Sequence, residues 1–314
     1  MNTVPLRLGS RKSPMAMAQS AHVAGLLEGR TGRSARIVGV STFGDVSNAQ
    51  LAQIGGTGVF VSSLRNGLLN GEIDFAVHSL KDLPVAPHPG LVLAAVPRRD
   101  DPRDALVSRS GAKLADLPPG ATIGTGSPRR AAQILLTRPD LRPVPIRGSA
   151  GTRLAKVDSG EVDAVVLAYA GLARIGRLDA VSEVFEPDEM LPAPGQGALA
   201  VECAAGRPDL AELLGRIDDQ PSRGATTAER SLLAALEAGC TAPIGAYAAG
   251  TETLRLDAIV VASDGGVALR ASGTGPAGQA ESLGREVAAD LLGRGAGRYT
   301  DVSAGHLIDG DDAQ

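Results

Sequence analysis

Short apolar runs alternate with segments of helical amphipathic period along the N-terminal part of the chain, and the two kinds of segment recur in a fixed order. Residues 6–9 are predicted to form a strand. Ser13 then offers an N-cap and Pro14 a first-turn residue for an amphipathic helix reaching about residue 28. The same grammar returns at residues 122–125, a strand, followed by Ser127-Pro128 opening a helix through about residue 137. A second echo links residues 71–77 with 160–166, each a helix end, a turn and a buried strand. Two α/β lobes of similar topology are expected, with mostly parallel sheets. Ligands of such sheets sit beyond the carboxyl ends of the strands and against helix N-termini, so the crevice between the lobes is the expected site.

Breaks near residues 98–102 and 190–197, the latter punctuated by Pro192, Pro194, Gly195 and Gly197, predict that the chain crosses twice between lobes. The expected division is 1–97 with 198–215 for the first lobe, 103–191 for the second, and 220–308 for a small α+β domain. That third domain is expected to hold a helix over about 226–238, a strand over 254–261 paired with 267–271, and a helix over about 279–292. At 314 residues the chain exceeds the size at which one core usually divides, in keeping with three units.

Charge changes the picture chiefly by exclusion. A net charge of -4, an aromatic content of 2% and the absence of Trp leave neither an electrostatic footprint nor stacking platforms for nucleic acid. Residues 1–11 lack a basic segment leading into an apolar core, and the apolar stretch 164–173 is too short to span a bilayer, so a cytoplasmic protein without membrane contact is expected. Two cysteines, Cys203 and Cys240, allow neither a disulfide framework nor a thiolate zinc site, and the four histidines have no ligand spacing, so no metal is expected.

Within this acidic chain the arginines are grouped. Arg129 and Arg130 follow Ser127-Pro128, Arg147 and Arg153 bracket a Gly-Ser-Ala-Gly-Thr segment, and Arg174 lies further on. Guanidinium forks match carboxylate or phosphate oxygens two at a time, so their convergence would make a pocket for a small polyanion; solvated surface charge is the alternative. Lys81 and Asp82 fall at a predicted strand end. They read either as a surface ion pair or as a carboxylate able to accept a ligand N–H and stabilise developing positive charge. Gly55-Gly56-Thr57-Gly58 lacks the Gly-Lys-Ser/Thr ending of a phosphate loop and reads as a loop between elements. Cys240 follows a helix C-terminus, whose negative end disfavours a thiolate, and taken alone both it and Cys203 read as inert thiols.

These segments together resemble the porphobilinogen deaminase (hydroxymethylbilane synthase) family. The resemblance runs from Leu6 through Gly245 and is carried by Arg11-Lys12-Ser13-Pro14, Ala76-Val77-His78-Ser79-Leu80-Lys81-Asp82, and Arg99-Asp100-Asp101-Pro102-Arg103-Asp104-Ala105. It continues through Gly124-Thr125-Gly126-Ser127-Pro128-Arg129-Arg130, Arg147-Gly148 with Gly151-Thr152-Arg153, Ala170-Gly171-Leu172, Pro194-Gly195-Gln196-Gly197 and Gly239-Cys240 before Pro243-Ile244-Gly245.

The resemblance implies two lobes related to those of periplasmic binding proteins, a third domain, and a dipyrromethane cofactor attached to Cys240 by a thioether. It implies a transferase of tetrapyrrole (haem) biosynthesis. Four porphobilinogen molecules lose ammonia, are joined head to tail on the cofactor, and leave as hydroxymethylbilane. Asp82 resembles the catalytic residue. Lys81, Asp82, Thr125, Ser127, Arg129, Arg130, Arg147 and Arg153 resemble cofactor-binding groups, and Arg11, Ser13, Arg153, Arg174 and Gln196 substrate-binding groups. A monomer is expected. Gln53, Thr57, Pro128 and Ser149 depart from the usual family residues. A small-anion binding protein on the same two-lobed fold is the alternative and would not need Cys240; a cysteine-dependent hydrolase would need a base and an oxyanion site that the sequence does not display.

Overall fold

The computed structural model describes residues 4–40, 56–237 and 242–300; Gln53, Cys240 and the acidic C-terminal end lie outside the described residues. The first lobe opens with β1 (Leu6–Ser10), α1 (Pro14–Thr31), β2 (Ala35–Gly39), α2 (Gly56–Leu69), β3 (Phe75–Ser79) and β4 (Leu91–Ala95). The chain crosses into β5 (Asp104–Ser108), β6 (Thr122–Gly124), α3 (Pro128–Thr137), β7 (Arg142–Val144), α4 (Ala150–Asp158), β8 (Ala164–Ala168), α5 (Tyr169–Arg174) and β9 (Glu183–Val184). It returns to the first lobe as β10 (Leu199–Ala204) and α6 (Pro208–Gly215). A third unit follows, made of α7 (Gln220–Ala235), β11 (Ile244–Gly250), β12 (Thr253–Val261), β13 (Ala268–Pro276), α8 (Ala280–Gly293) and α9 (Gly297–Thr300).

The two lobes are built alike, with strand orders β2-β1-β3-β10-β4 and β7-β6-β8-β5-β9. The likeness reaches single atoms. In the first lobe the Arg7 N–H donates to the Asp74 carboxylate at 2.7 Å while the Asp74 N–H returns to the Arg7 carbonyl at 2.8 Å. In the second, Thr122 and Asp163 make the same exchange at 2.8 and 3.0 Å. Each aspartate closes the turn that feeds β3 or β8, so the repeated Gly-Glu-Ile/Val-Asp segment is a strand lock.

The expectation of mostly parallel sheets is corrected. β1 runs parallel to β2 and β3, and β6 to β7 and β8, but β10 is antiparallel to β3 and β4, and β5 to β8 and β9. The reason is the crossing itself. β5 and β10 each arrive from the other lobe without a covering helix, and a parallel entry would need a longer crossover.

Local chemistry sets the helix limits near the crevice. The Ser13 hydroxyl accepts from the Ala16 N–H at 3.3 Å, Pro14 begins α1, and Gly32 ends it at φ 69° with its N–H on the Glu28 carbonyl. Gly56–Gly58, read from sequence as part of a loop, instead opens α2, whose Val61, Leu64 and Leu68 are buried at helical spacing. α2 is fastened to the sheet below by Arg65, which donates to buried Glu202 at 2.8 Å beside His78 at 3.1 Å from the same carboxylate. Burial alone would raise the Glu202 pKa, but His78 and Arg65 outweigh it and hold it at about 2.

In the third unit α7 starts earlier than expected, because the Asp219 carboxylate caps it through the Ser222 N–H at 3.0 Å and Pro221 fits the first turn. β11, unforeseen in the sequence, pairs antiparallel with β12, which pairs with β13. α7 and α8 bury Ala228, Leu232, Leu283, Val287 and Leu291 against Leu256 and Val260 of this sheet.

The two crossings run in contact. The Asp100 N–H donates to the Gly197 carbonyl at 3.3 Å, and Gly197 sits at φ +86° where a Cβ would stand 2.5 Å from the Asp100 oxygen. Arg99 joins them to the third unit: its Nε donates to the Gln196 carbonyl at 2.7 Å and its Nη1 lies 2.6 Å from Glu229 of α7, which is fully buried. The Glu229 carboxylate also accepts from the Gly195 and Ala248 N–H groups at 2.6 and 2.8 Å.

Candidate active site

β3 ends in a single 3₁₀ turn, Leu80–Asp82. Leu80 is wholly buried and its N–H donates to the Ala198 carbonyl at 3.0 Å, which fixes the turn to the returning crossing and leaves Lys81 and Asp82 at the carboxyl end of the strand. Asp82 is half-buried, and among the described residues its carboxylate has no ion-pair or hydrogen-bond partner. Such a carboxylate at a strand end is available to a ligand.

Lys81 begins a polar chain that joins the lobes. Its Nζ donates to Gln196 Oε1 at 3.1 Å, and Gln196 Nε2 donates onward to the Pro102 carbonyl at 2.7 Å and to Asp104 Oδ1 at 2.8 Å. Arg130 donates to the same Oδ1 through Nη2 at 2.7 Å and Nε at 3.1 Å, and Arg129 Nη1 lies 2.8 Å from Oδ2. Asp104 is 0% exposed, Arg129 3% and Arg130 5%, so one carboxylate serves two guanidinium groups away from water. Burial works against ionising Asp104, yet the two arginines hold its carboxyl well below the usual carboxylate range. Burial in turn lowers the Arg129 pKa against the pull of Asp104.

Two arginines of the expected cluster are thus largely engaged inside the protein. Arg129 Nη1 also donates to the Leu191 carbonyl at 2.7 Å and Arg130 Nη1 to the Val166 carbonyl at 3.0 Å; the Arg129 Nε is buried without a hydrogen-bond partner. Arg174 is engaged as well, on Asp100 Oδ2 at 2.6 Å and the Gly197 carbonyl at 2.8 Å, so it clamps both crossings.

Arg153 differs from these. It projects from α4, whose N-cap Ser149 accepts from the Thr152 N–H at 3.2 Å, and its Nε donates to the Gly148 carbonyl at 2.9 Å. Among the described residues no carboxylate lies within ion-pair distance of it, and burial, then Arg130, lower its pKa. Lys81 shows the same stress more strongly. Burial of its ammonium, then Arg130, push its pKa down to about 8 despite the pull of Asp82 and Asp104. Burial is the larger cause for both groups, and Arg130 adds a like charge beside each of them.

The remaining predicted residues spread around this centre. Thr125 is buried at the end of β6, its hydroxyl accepting from the Ser127 N–H at 3.1 Å, and the Ser127 hydroxyl caps α3 at the Arg130 N–H. Arg147 is exposed in the turn before α4. Arg11 is half-buried just after β1, and Ser13 caps α1. Cys203 lies in the first-lobe core with its thiol pushed up to about 11 by burial, in keeping with an inert role. Sequence reasoning assigned no role to Asp104. The signal was present: adjacent arginines at the start of an amphipathic helix over a buried sheet need an internal carboxylate.

Comparison with known proteins decides the family. Residues 6–212 match the model of the porphobilinogen deaminase dipyromethane cofactor binding domain, and residues 224–293 that of the porphobilinogen deaminase C-terminal domain. The porphobilinogen deaminase of Thermobifida fusca is 58% identical, covering 97% of this chain and 99% of its own length.

The chain belongs to the porphobilinogen deaminase family.

Porphobilinogen deaminase 1 of Streptomyces coelicolor is 54% identical over 94% of this chain and 97% of its own. Among solved structures, the methionine binding protein MetQ aligns with 68% of this chain and 87% of its own at 12% identity and a TM-score of 0.43. The two family models cover both lobes and the third unit. Among the described residues no helix is long and apolar enough to cross a membrane, and no group of His, Cys, Asp and Glu is placed to hold a metal ion.

Proposed function

We propose that the chain is a hydroxymethylbilane synthase that joins four porphobilinogen molecules in the crevice between its lobes with loss of four ammonia molecules, and that one water molecule then hydrolyses the bond to the cofactor and leaves as the hydroxyl of the linear tetrapyrrole. The observation that carries this reading is that, among the described residues, half-buried Arg153 has no carboxylate within ion-pair distance while half-buried Asp82 has no hydrogen-bond or ion-pair partner. Porphobilinogen and dipyrromethane carry acetate and propionate groups on every ring, and such carboxylates supply the counter-charge that Arg153 lacks. The residues present therefore fit the cofactor. When bound, dipyrromethane supplies the free pyrrole α-carbon from which the chain grows.

In this reading Cys240 forms the thioether, Lys81, Arg129, Arg130, Arg147 and Arg153, with the Thr125 and Ser127 hydroxyls, face the cofactor carboxylates, and Asp82 faces its pyrrole N–H groups. Arg129 and Arg130 contribute mainly the positive field at the floor of the site, because Asp104 occupies their forks. Asp82, with no hydrogen bond or ion pair to any described side chain, accepts pyrrole N–H groups and stabilises positive charge as ammonia leaves. Arg11, Ser13, Arg174 and Gln196, with Arg153 shared between cofactor and substrate, hold the incoming substrate. Arg174 can do so by giving up Asp100, which would tie substrate arrival to the crossings. The domain limits given above complete the reading, with the chain a monomer in the cytoplasm; a free buried Cys203 thiol suits a reducing compartment.

The deciding experiment is the intact mass of the purified protein beside Cys240→Ala, before and after addition of porphobilinogen. A mass excess equal to one dipyrromethane in the wild type, absent from the variant, is expected. An unmodified wild type that stays unmodified with porphobilinogen would overturn the synthase and leave an anion-binding protein.

Lys81 gives a second test through pH. Its folded pKa of about 8 lies below the ordinary 10.5, so the ammonium is intact below about pH 8 and lost as pH rises through that value. Porphobilinogen binding to Cys240→Ala should then weaken by up to about tenfold per pH unit above 8 if it needs the ammonium. Titration calorimetry across pH 7–10 reads this, and Lys81→Met should flatten the profile. A profile already flat in the unaltered Lys81 background would remove Lys81 from the site.

A further inference from the structure

We propose that Arg230 of α7 is a positioning residue for Asp82, holding the catalytic turn to the third unit. The inference rests on the reading of Asp82 given above. Arg230 Nη2 donates to the Pro84 carbonyl at 2.7 Å, and its Nη1 donates to the Leu83 carbonyl at 2.9 Å and the Leu80 carbonyl at 3.4 Å. These three oxygens flank Asp82 on both sides. One rigid guanidinium thus fastens the backbone before and after the residue whose carboxylate must be placed.

The segment needs such a fastening. It leaves β3 through a single 3₁₀ turn closed by the Leu83 N–H on the Leu80 carbonyl at 3.1 Å, and Pro84, lacking an N–H, cannot continue a ladder. Leu80 and Leu83 are buried at 0% and 4% exposure, so the neighbouring carbonyls sit where water is scarce and a partner is required. A planar fork with several fixed donors meets carbonyls at different heights in one rotamer; a lysine offers a single donor atom.

The helix bearing the fork is itself immobilised. Glu229, one residue earlier, is the buried carboxylate that takes Arg99 and the Gly195 and Ala248 N–H groups. Consecutive helical residues point about 100° apart, so α7 grips the crossings with one side chain and the Asp82 turn with the next.

The test uses the holoenzyme with Arg230→Met, Asp82→Asn and the double variant. For Arg230→Met, kcat should fall about 10- to 100-fold with KM changed by less than about twofold, since a misplacement near 1 Å has that cost in an oriented site. Amide exchange at Leu80, Lys81, Asp82 and Leu83 should quicken while the rest of the first-lobe sheet keeps its protection. Adding Arg230→Met to Asp82→Asn should cost nothing further, because Arg230 acts through Asp82.

Unchanged turnover and exchange in Arg230→Met, or losses that multiply in the double variant, would overturn the proposal. Should Arg230→Met fail to fold, Arg230→Lys keeps stem and charge, and the same two changes are expected of it in smaller measure; normal exchange in that turn would then overturn the clamp. Normal turnover in Asp82→Asn alone would count against the Asp82 reading, while the exchange result would still report on the clamp.

Discussion

Asp104→Asn should destabilise the protein by about 3–5 kcal/mol, the cost of leaving a buried charge without its partner. Asp104 neutralises both Arg129 and Arg130, and Gln196 donates to the same oxygen, so a neutral amide would leave two guanidinium groups in the interior with no counter-charge. The wild-type contribution is complete above the carboxyl's unfolded pKa of about 3.9 and is lost as pH falls toward its lower folded value. The variant should therefore show a flatter loss of stability below about pH 4. Urea unfolding at pH 7 reads the first effect and an acid titration the second. Both should persist in the Cys240→Ala background, since the triad is internal. A change smaller than about 1 kcal/mol would show that the arginines reach solvent, contrary to their burial.

Asp82→Asn should keep the covalent cofactor but slow elongation about 100- to 1,000-fold, the range found when one preorganised electrostatic group is removed from an active site. The asparagine oxygen can still accept a hydrogen bond, so ground-state binding should change little. What is lost is the full negative charge at the moment positive charge develops on the substrate. Single-turnover mixing with porphobilinogen, read as the mass ladder of enzyme bearing one to four added units, separates attachment from elongation. Wild-type rates along that ladder would remove Asp82 from catalysis.

Much of the lobed fold was legible because its punctuation is local. Ser13 with Pro14 and Ser127 with Pro128 announce helices through groups three residues away, and the strand locks at Asp74 and Asp163 repeat in sequence as they do in space. The residues of the site were legible mainly through the family resemblance, and their engagement was not. Whether Arg130 faces a ligand or a protein carboxylate depends on Asp104, 26 positions away on a strand of different direction. The antiparallel entry of β5 and β10 was equally hidden, since an apolar strand reads the same in either direction. The Arg230 fork spans 146 to 150 positions, and nothing near Arg230 in sequence points to the turn it holds.

The paired crossings also constrain how the crevice can breathe. A single tether would let one lobe swivel about the other. Two tethers side by side, hydrogen-bonded to each other at Asp100 and Gly197, resist torsion more than opening and closing. Gly197 is what lets the two tethers lie this close, since any side chain there would wedge against Asp100.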